Sequence, residues 1–152
     1  MRVADVMTEA SVSDSPADTL RDAAQLMWHE QTGSLVVLDG TRLVGIITER
    51  DILRAVAQHV DIDGLTVGEA MTAEVFTTTA DASLYDASRL MAQHWIRHLP
   101  VVGDGEVVGM LSQRDVMGVF ASMGGDTGDV VIDSDALVRA RRLVRIEHGD
   151  LD

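Results

Sequence analysis

The chain is written twice, and no other feature limits its fold as much. Shifted by 64 residues against itself, it aligns without a gap. Val3-Ala4-Asp5-Val6-Met7-Thr8 falls on Val67-Gly68-Glu69-Ala70-Met71-Thr72. Leu20, Asp22, Ala23, Leu26 and Met27 meet Leu84, Asp86, Ala87, Leu90 and Met91. Leu35 and Val37 meet Leu99 and Val101, and Val44, Gly45, Arg50 and Asp51 meet Val108, Gly109, Arg114 and Asp115. Chance does not hold one register for so long, and self-similarity at a fixed offset marks a duplicated supersecondary unit. The first copy occupies residues 1–58, a polar connection 59–66 and the second copy 67–122, with a further segment at 123–152.

Each copy reads strand, helix, strand, strand, helix. Asp18 or Thr19 can cap a helix in which Leu20, Ala23, Ala24 and Met27 share one face; Leu84, Ala87, Ser88 and Met91 repeat the pattern. Leu35–Leu38 and Leu43–Ile47 are apolar runs too short for helices and flank Asp39-Gly40, a turn dipeptide, so they predict a hairpin. Its counterpart is Leu99–Val102 and Val107–Leu111 around Gly103-Asp104-Gly105. Thr48 and Ser112 then cap the last helix of each copy, with Asp51 and Asp115 in its first turn, where a carboxylate suits the helix dipole. The fold class is α/β (α+β): two small three-stranded sheets, each packed with helices. One copy alone would leave an apolar helix face uncovered, so the copies must pack on each other as one folding unit. Met7, Met27, Met71 and Met91 stand at equivalent apolar positions and read as core.

Composition narrows the function. The formal net charge of −13 argues against general nucleic-acid binding, which needs a basic surface to neutralise phosphates. A phosphate-bearing ligand would have to be held by a local exception. Cysteine is absent, so disulfides, thiolate metal sites and cysteine nucleophiles are excluded. No apolar run is long enough to span a bilayer, and the N-terminus has no signal-peptide pattern, so the expected location is the cytoplasm, with no membrane partner.

The chemistry is concentrated in two matching segments, Gly45-Ile46-Ile47-Thr48-Glu49-Arg50-Asp51 and Gly109-Met110-Leu111-Ser112-Gln113-Arg114-Asp115. In each a strand ends at a helix N-terminus, where free backbone N–H groups and a hydroxyl favour phosphate. The carboxylate three positions on can accept both hydrogens of a ribose diol, and the Arg adds positive charge to an acidic protein. The plain alternative is that Thr48 and Ser112 are only caps and the two Asp residues only dipole partners.

Asp-Val-Met-Thr near a copy's start, His-Leu-Pro-Val-Val in the hairpin, and Gly-hydrophobic-hydrophobic-Thr/Ser-x-x-Asp before the last helix resemble the cystathionine-β-synthase (CBS) domain family over residues 3–121. The resemblance implies two tandem repeats related by pseudo-two-fold symmetry, with clefts between them that bind AMP, ADP, ATP or another adenosyl ligand. It implies a homodimer whose arrangement an effector protein reads, and no catalytic cofactor. Thr48, Arg50 and Asp51 would define one cleft, completed by Phe76, Thr77, Ile96, Arg97 and His98 of the other repeat. Ser112, Arg114 and Asp115 would define the second, completed by Val12, Ser13, Thr32, Gly33 and Ser34. Arg97 and His98 add cationic groups to the Asp51 cleft where the other has Gly33 and Ser34, so the Asp51 cleft is expected to fill first and to prefer the more highly charged nucleotide.

The expected function is a non-enzymatic regulatory module for adenosine nucleotides, the alternative being an interaction module with an unused cleft. No Gly-x-Ser-x-Gly signature supports a catalytic triad, and His94 and His98 lack a Cys or nearby carboxylate to complete a zinc site, so no metal is expected. After Ala121 a Gly-rich stretch leads to a predicted helix from Ser134 to Glu147 carrying Arg139, Arg141, Arg142 and Arg145. That helix reads as a solvated face or as a contact for an acidic partner.

Overall fold

In a computed structural model, residues 1–9 and 12–123 are described; the Arg-rich segment lies outside them. The first repeat supplies β2 (Ser13–Asp14), α1 (Leu20–Glu30), β3 (Ser34–Asp39), β4 (Arg42–Thr48) and α2 (Glu49–Ala57). The second supplies α3 (Val67–Ala70), β5 (Thr78–Thr79), α4 (Leu84–His94), β6 (His98–Gly103), β7 (Glu106–Ser112) and α5 (Gln113–Ser122). Ahead of β2 stand a 3-10 turn, Val3–Asp5, and β1 (Thr8–Glu9).

Local chemistry sets the boundaries. Thr19 caps α1, its hydroxyl accepting the Asp22 N–H at 3.2 Å while the Asp22 carboxylate accepts the Thr19 N–H at 3.1 Å. This reciprocal arrangement satisfies two backbone donors the helix would otherwise leave free. The second hairpin turns at Asp104 and Gly105, both at positive φ, a conformation that matches the twist of the strands it joins. Leu20, Ala23 and Met27 of α1 are buried against Leu35, Val37 and Ile47; Leu84, Ala87 and Met91 of α4 are buried against Leu99, Val101 and Leu111.

The repeats exchange their opening segments. Val3 is buried in the core of the second repeat and Val67 in that of the first. The Val3 N–H donates to the Ala82 carbonyl at 2.9 Å, and the Val67 N–H to the equivalent Asp18 carbonyl at 2.7 Å. The first sheet has the expected three strands, in the order β2-β3-β4. The second gains a fourth because β1 crosses over and pairs antiparallel with β7, giving β1-β7-β6-β5. In the reciprocal place only an isolated bridge joins Ile46 to Thr72. The connection between copies also contributes apolar packing: Ile62 and Leu65 lie against the first core, and Arg21 of α1 pairs with Asp63.

Candidate ligand-binding cleft

The duplicated segments place Asp51 and Asp115 in the first turns of α2 and α5, as their spacing predicts. Asp51 Oδ2 accepts from the Thr48 N–H at 2.9 Å and the Thr48 hydroxyl at 3.1 Å. Asp115 Oδ2 accepts from the Ser112 N–H at 2.9 Å and the Ser112 hydroxyl at 2.6 Å. Each carboxylate thus closes its own helix start with one oxygen. The second oxygen separates the two sites. Asp51 Oδ1 faces Arg54 Nη1 at 3.4 Å, and the Asp51 side chain is only 10% exposed. The position equivalent to Arg54 is Gly118, and Asp115 Oδ1 enters no such pair among the described residues.

A cavity of about 960 Å³ opens beside Asp115. It gathers Ser112, Arg114 and Asp115 of the second repeat with Val12, Thr32, Gly33 and Ser34 of the first. Arg97 and His98, expected beside Asp51, line this cavity. His98 is paired in register with Ser112 across β6 and β7, which draws it toward the helix start of its own repeat. Arg97 Nη2 reaches Glu49 Oε1 at 3.1 Å. Burial holds the His98 imidazole below its ordinary pKa, and the neighbouring Arg97 guanidinium adds to the effect, so the ring is uncharged at neutral pH.

Phe76, Thr77, Ile96 and Arg50 of the expected Asp51 set are not on the lining of this cavity. Phe76 stacks on His94, ring centroids 3.8 Å apart, so one face of its ring is taken. Thr77 is half-buried, Ile96 packs against the second core and Arg50 is exposed; Ser13, of the expected Asp115 set, is exposed and is also not on the lining. Sequence reasoning missed Thr8, Trp28, Glu30 and Glu49 on the cavity wall. Trp28 carried a signal, because an aromatic on the polar side of an amphipathic helix needs a reason; it is 87% exposed.

Ser34 is 4% exposed, and its hydroxyl has no hydrogen-bond partner among the described residues. A buried hydroxyl without a partner costs about 1–3 kcal/mol, which a ligand atom reaching the wall beside it could relieve. Small-molecule sites combine a volume of this order with a few convergent polar groups.

Duplicated α+β units sharing a cleft at paired helix starts define a tandem-repeat ligand-binding module. The family model for the CBS domain matches residues 3–58 and 67–122, and the chain belongs to the CBS-domain family. It is 41% identical over 116 residues to the CBS domain-containing protein YhcV of Bacillus subtilis, covering 75% of this chain and 81% of that protein. Among solved structures, the CBS domain pair of protein MJ0100 in complex with 5′-methylthioadenosine and S-adenosyl-L-methionine superimposes with a TM-score of 0.76 at 28% identity, covering 81% of this chain and 98% of that one. Hypoxic Response Protein I, solved with two coordinated zinc ions, superimposes at a TM-score of 0.68 and 28% identity, over 78% of this chain and 98% of that one. Among the described residues here, no group of three or more His, Asp or Glu is placed to hold a metal ion.

Proposed function

We propose that the chain is a non-enzymatic regulatory module that binds an adenosine-type ligand, of the AMP, ADP, ATP or adenosyl-thioether kind, in the Asp115 cavity. The observation that carries this reading is the cavity itself. It joins a carboxylate with one oxygen outside any ion pair among the described residues, a buried hydroxyl of the other repeat with no partner among them, and two arginines. Asp115 Oδ1 accepts from the ribose diol, Ser34 pairs with a polar ligand atom across the cleft, and Arg114 faces the 5′ substituent. The adenosyl ligands of the MJ0100 CBS pair support the choice of ligand class. A ligand touching both repeats favours one arrangement of them, and an effector protein reads that arrangement.

The functional unit is a homodimer. Leu53 and Val56 of α2 and Met117 and Phe120 of α5 are exposed apolar side chains that a second copy would cover. Differential scanning fluorimetry with AMP, ATP and 5′-methylthioadenosine tests the binding. A ligand at about a hundred times its dissociation constant adds ~2.7 kcal/mol, a rise of several degrees in the unfolding midpoint. No shift with any of the three at millimolar concentration contradicts the proposal. Sedimentation velocity on the same samples should show a dimer at micromolar concentration, and a lone monomer contradicts the assembly.

A further inference from the structure

Glu49 and Arg97 meet on the cavity wall, one from each repeat. Their backbones occupy corresponding crossings: the Glu49 N–H donates to the Gly33 carbonyl at 3.0 Å, and the Gln113 N–H to the Arg97 carbonyl at 2.8 Å. Gly33 is the counterpart of Arg97, and Gln113 of Glu49. Duplication supplies two such crossings, but the acid comes from one and the base from the other, so between them they make one charged pair. The Glu49 carboxylate lies over Gly33, where an added Cβ would stand 3.2 Å from Glu49 Cδ. The missing side chain at position 33 lets the carboxylate fold inward to Arg97.

We propose that Glu49 sets the charge of ligand the cavity accepts: by holding Arg97 it favours adenosyl ligands with little negative charge at the 5′ end and disfavours polyphosphates. This rests on the adenosyl reading of the same cavity and narrows it. The lining carries Glu30, Glu49 and Asp115 against Arg97 and Arg114, so the wall is acidic on balance. Arg114 enters no ion pair among the described residues, and it can meet one phosphate. A triphosphate needs a second cation, and Arg97, the other arginine of the lining, is already engaged by Glu49. Both members of the pair are partly exposed, with side chains 60% and 45% accessible, so the pair can open. Opening it frees the Arg97 guanidinium but leaves an unpaired Glu49 carboxylate close to the incoming phosphates, where like charges repel.

Isothermal titration calorimetry on the full chain tests this with ATP, 5′-methylthioadenosine and inorganic tripolyphosphate as probes. In Glu49→Gln, the ratio of ATP to 5′-methylthioadenosine affinity should rise on the order of tenfold, the scale of one charge-assisted hydrogen bond. Tripolyphosphate affinity should rise alongside it, and both gains should vanish in the double variant Glu49→Gln/Arg97→Gln. A ratio unchanged in Glu49→Gln while adenosyl ligands still bind overturns the role of Glu49 and leaves the adenosyl reading standing. Tripolyphosphate gained in Glu49→Gln with no adenosyl ligand bound by any variant keeps the role of Glu49 and overturns the adenosyl reading. Gains that persist in the double variant also overturn the role, since they would come from net charge and not from Arg97.

Discussion

Among the described residues, Asp14 is the one whose ionisation the fold opposes most. Its carboxylate and that of Asp18 both accept the Ser15 N–H, at 2.9 and 3.0 Å, and Asp14 Oδ2 is buried without a partner among the described residues. Burial, with the Asp18 carboxylate alongside, pushes Asp14 up to about 7, while Asp18 is held below the usual carboxylate range. Between about pH 4 and 7 the folded chain keeps a proton on Asp14 that the unfolded chain has released, so this contribution to stability declines as pH rises through that window. His98 acts with the opposite slope: its folded pKa is depressed, so stability falls as pH drops below about 6.5 and the unfolded chain takes up the proton. Asp14→Asn should therefore raise the unfolding free energy at pH 8 by on the order of 1–2 kcal/mol once partial solvent access is allowed for, seen as a higher unfolding midpoint, and change little at pH 4. The variant should retain the decline below pH 6.5. A lower midpoint at pH 8 would show that the ionised Asp14 is well solvated. None of this was legible in the duplication, because the counterparts of Asp14 and Asp18 are Thr78 and Ala82.

The elements show why two motifs recur together. Gly109 of β7 lies under the opening segment of the first repeat, where an added Cβ would stand 2.7 Å from the Thr8 carbonyl oxygen and 3.1 Å from Met7 Sδ. Gly45 lies in the same way under Met71 and Thr72. The Met-Thr pair and the glycine are thus two sides of one contact, made across repeats. Gly109→Ala should lose about 1–3 kcal/mol in chemical denaturation, since backbone and not a flexible side-chain end must move. Gly118→Ala, in a helix with nothing within 4 Å of the added Cβ, should be neutral or stabilising by up to ~1 kcal/mol. Equal losses at both positions would contradict the close-approach account. Caps, hairpins and the helical apolar faces were legible because their signals lie within a few residues of each other. The exchange of opening segments was not, since a repeat read alone does not say which sheet its first segment joins. The contrast between Arg54 and Gly118 was available, three residues beyond each Asp, but its meaning depended on knowing that the Asp carboxylate has an oxygen to spare.

At the scale of the whole molecule, an acidic chain concentrates two of its arginines on one cavity wall, and which cleft they serve decides the order of filling. The sequence-based expectation that the Asp51 cleft fills first depends on Arg97 and His98 standing there. Both line the Asp115 cavity, Arg97 is held by Glu49, and Asp51 is already paired with Arg54. We therefore propose the reverse order, with the Asp115 cavity filling first. Among the described residues no helix is long and apolar enough to cross a membrane. The most direct measurement is a calorimetric titration of AMP into the wild-type chain, Asp51→Ala and Asp115→Ala. The account predicts that Asp115→Ala weakens the tighter binding event at least about tenfold, the cost of losing charged hydrogen bonds to the ribose, while Asp51→Ala leaves that event in place. Loss of the tighter event in Asp51→Ala, with Asp115→Ala binding as the wild type does, would contradict it.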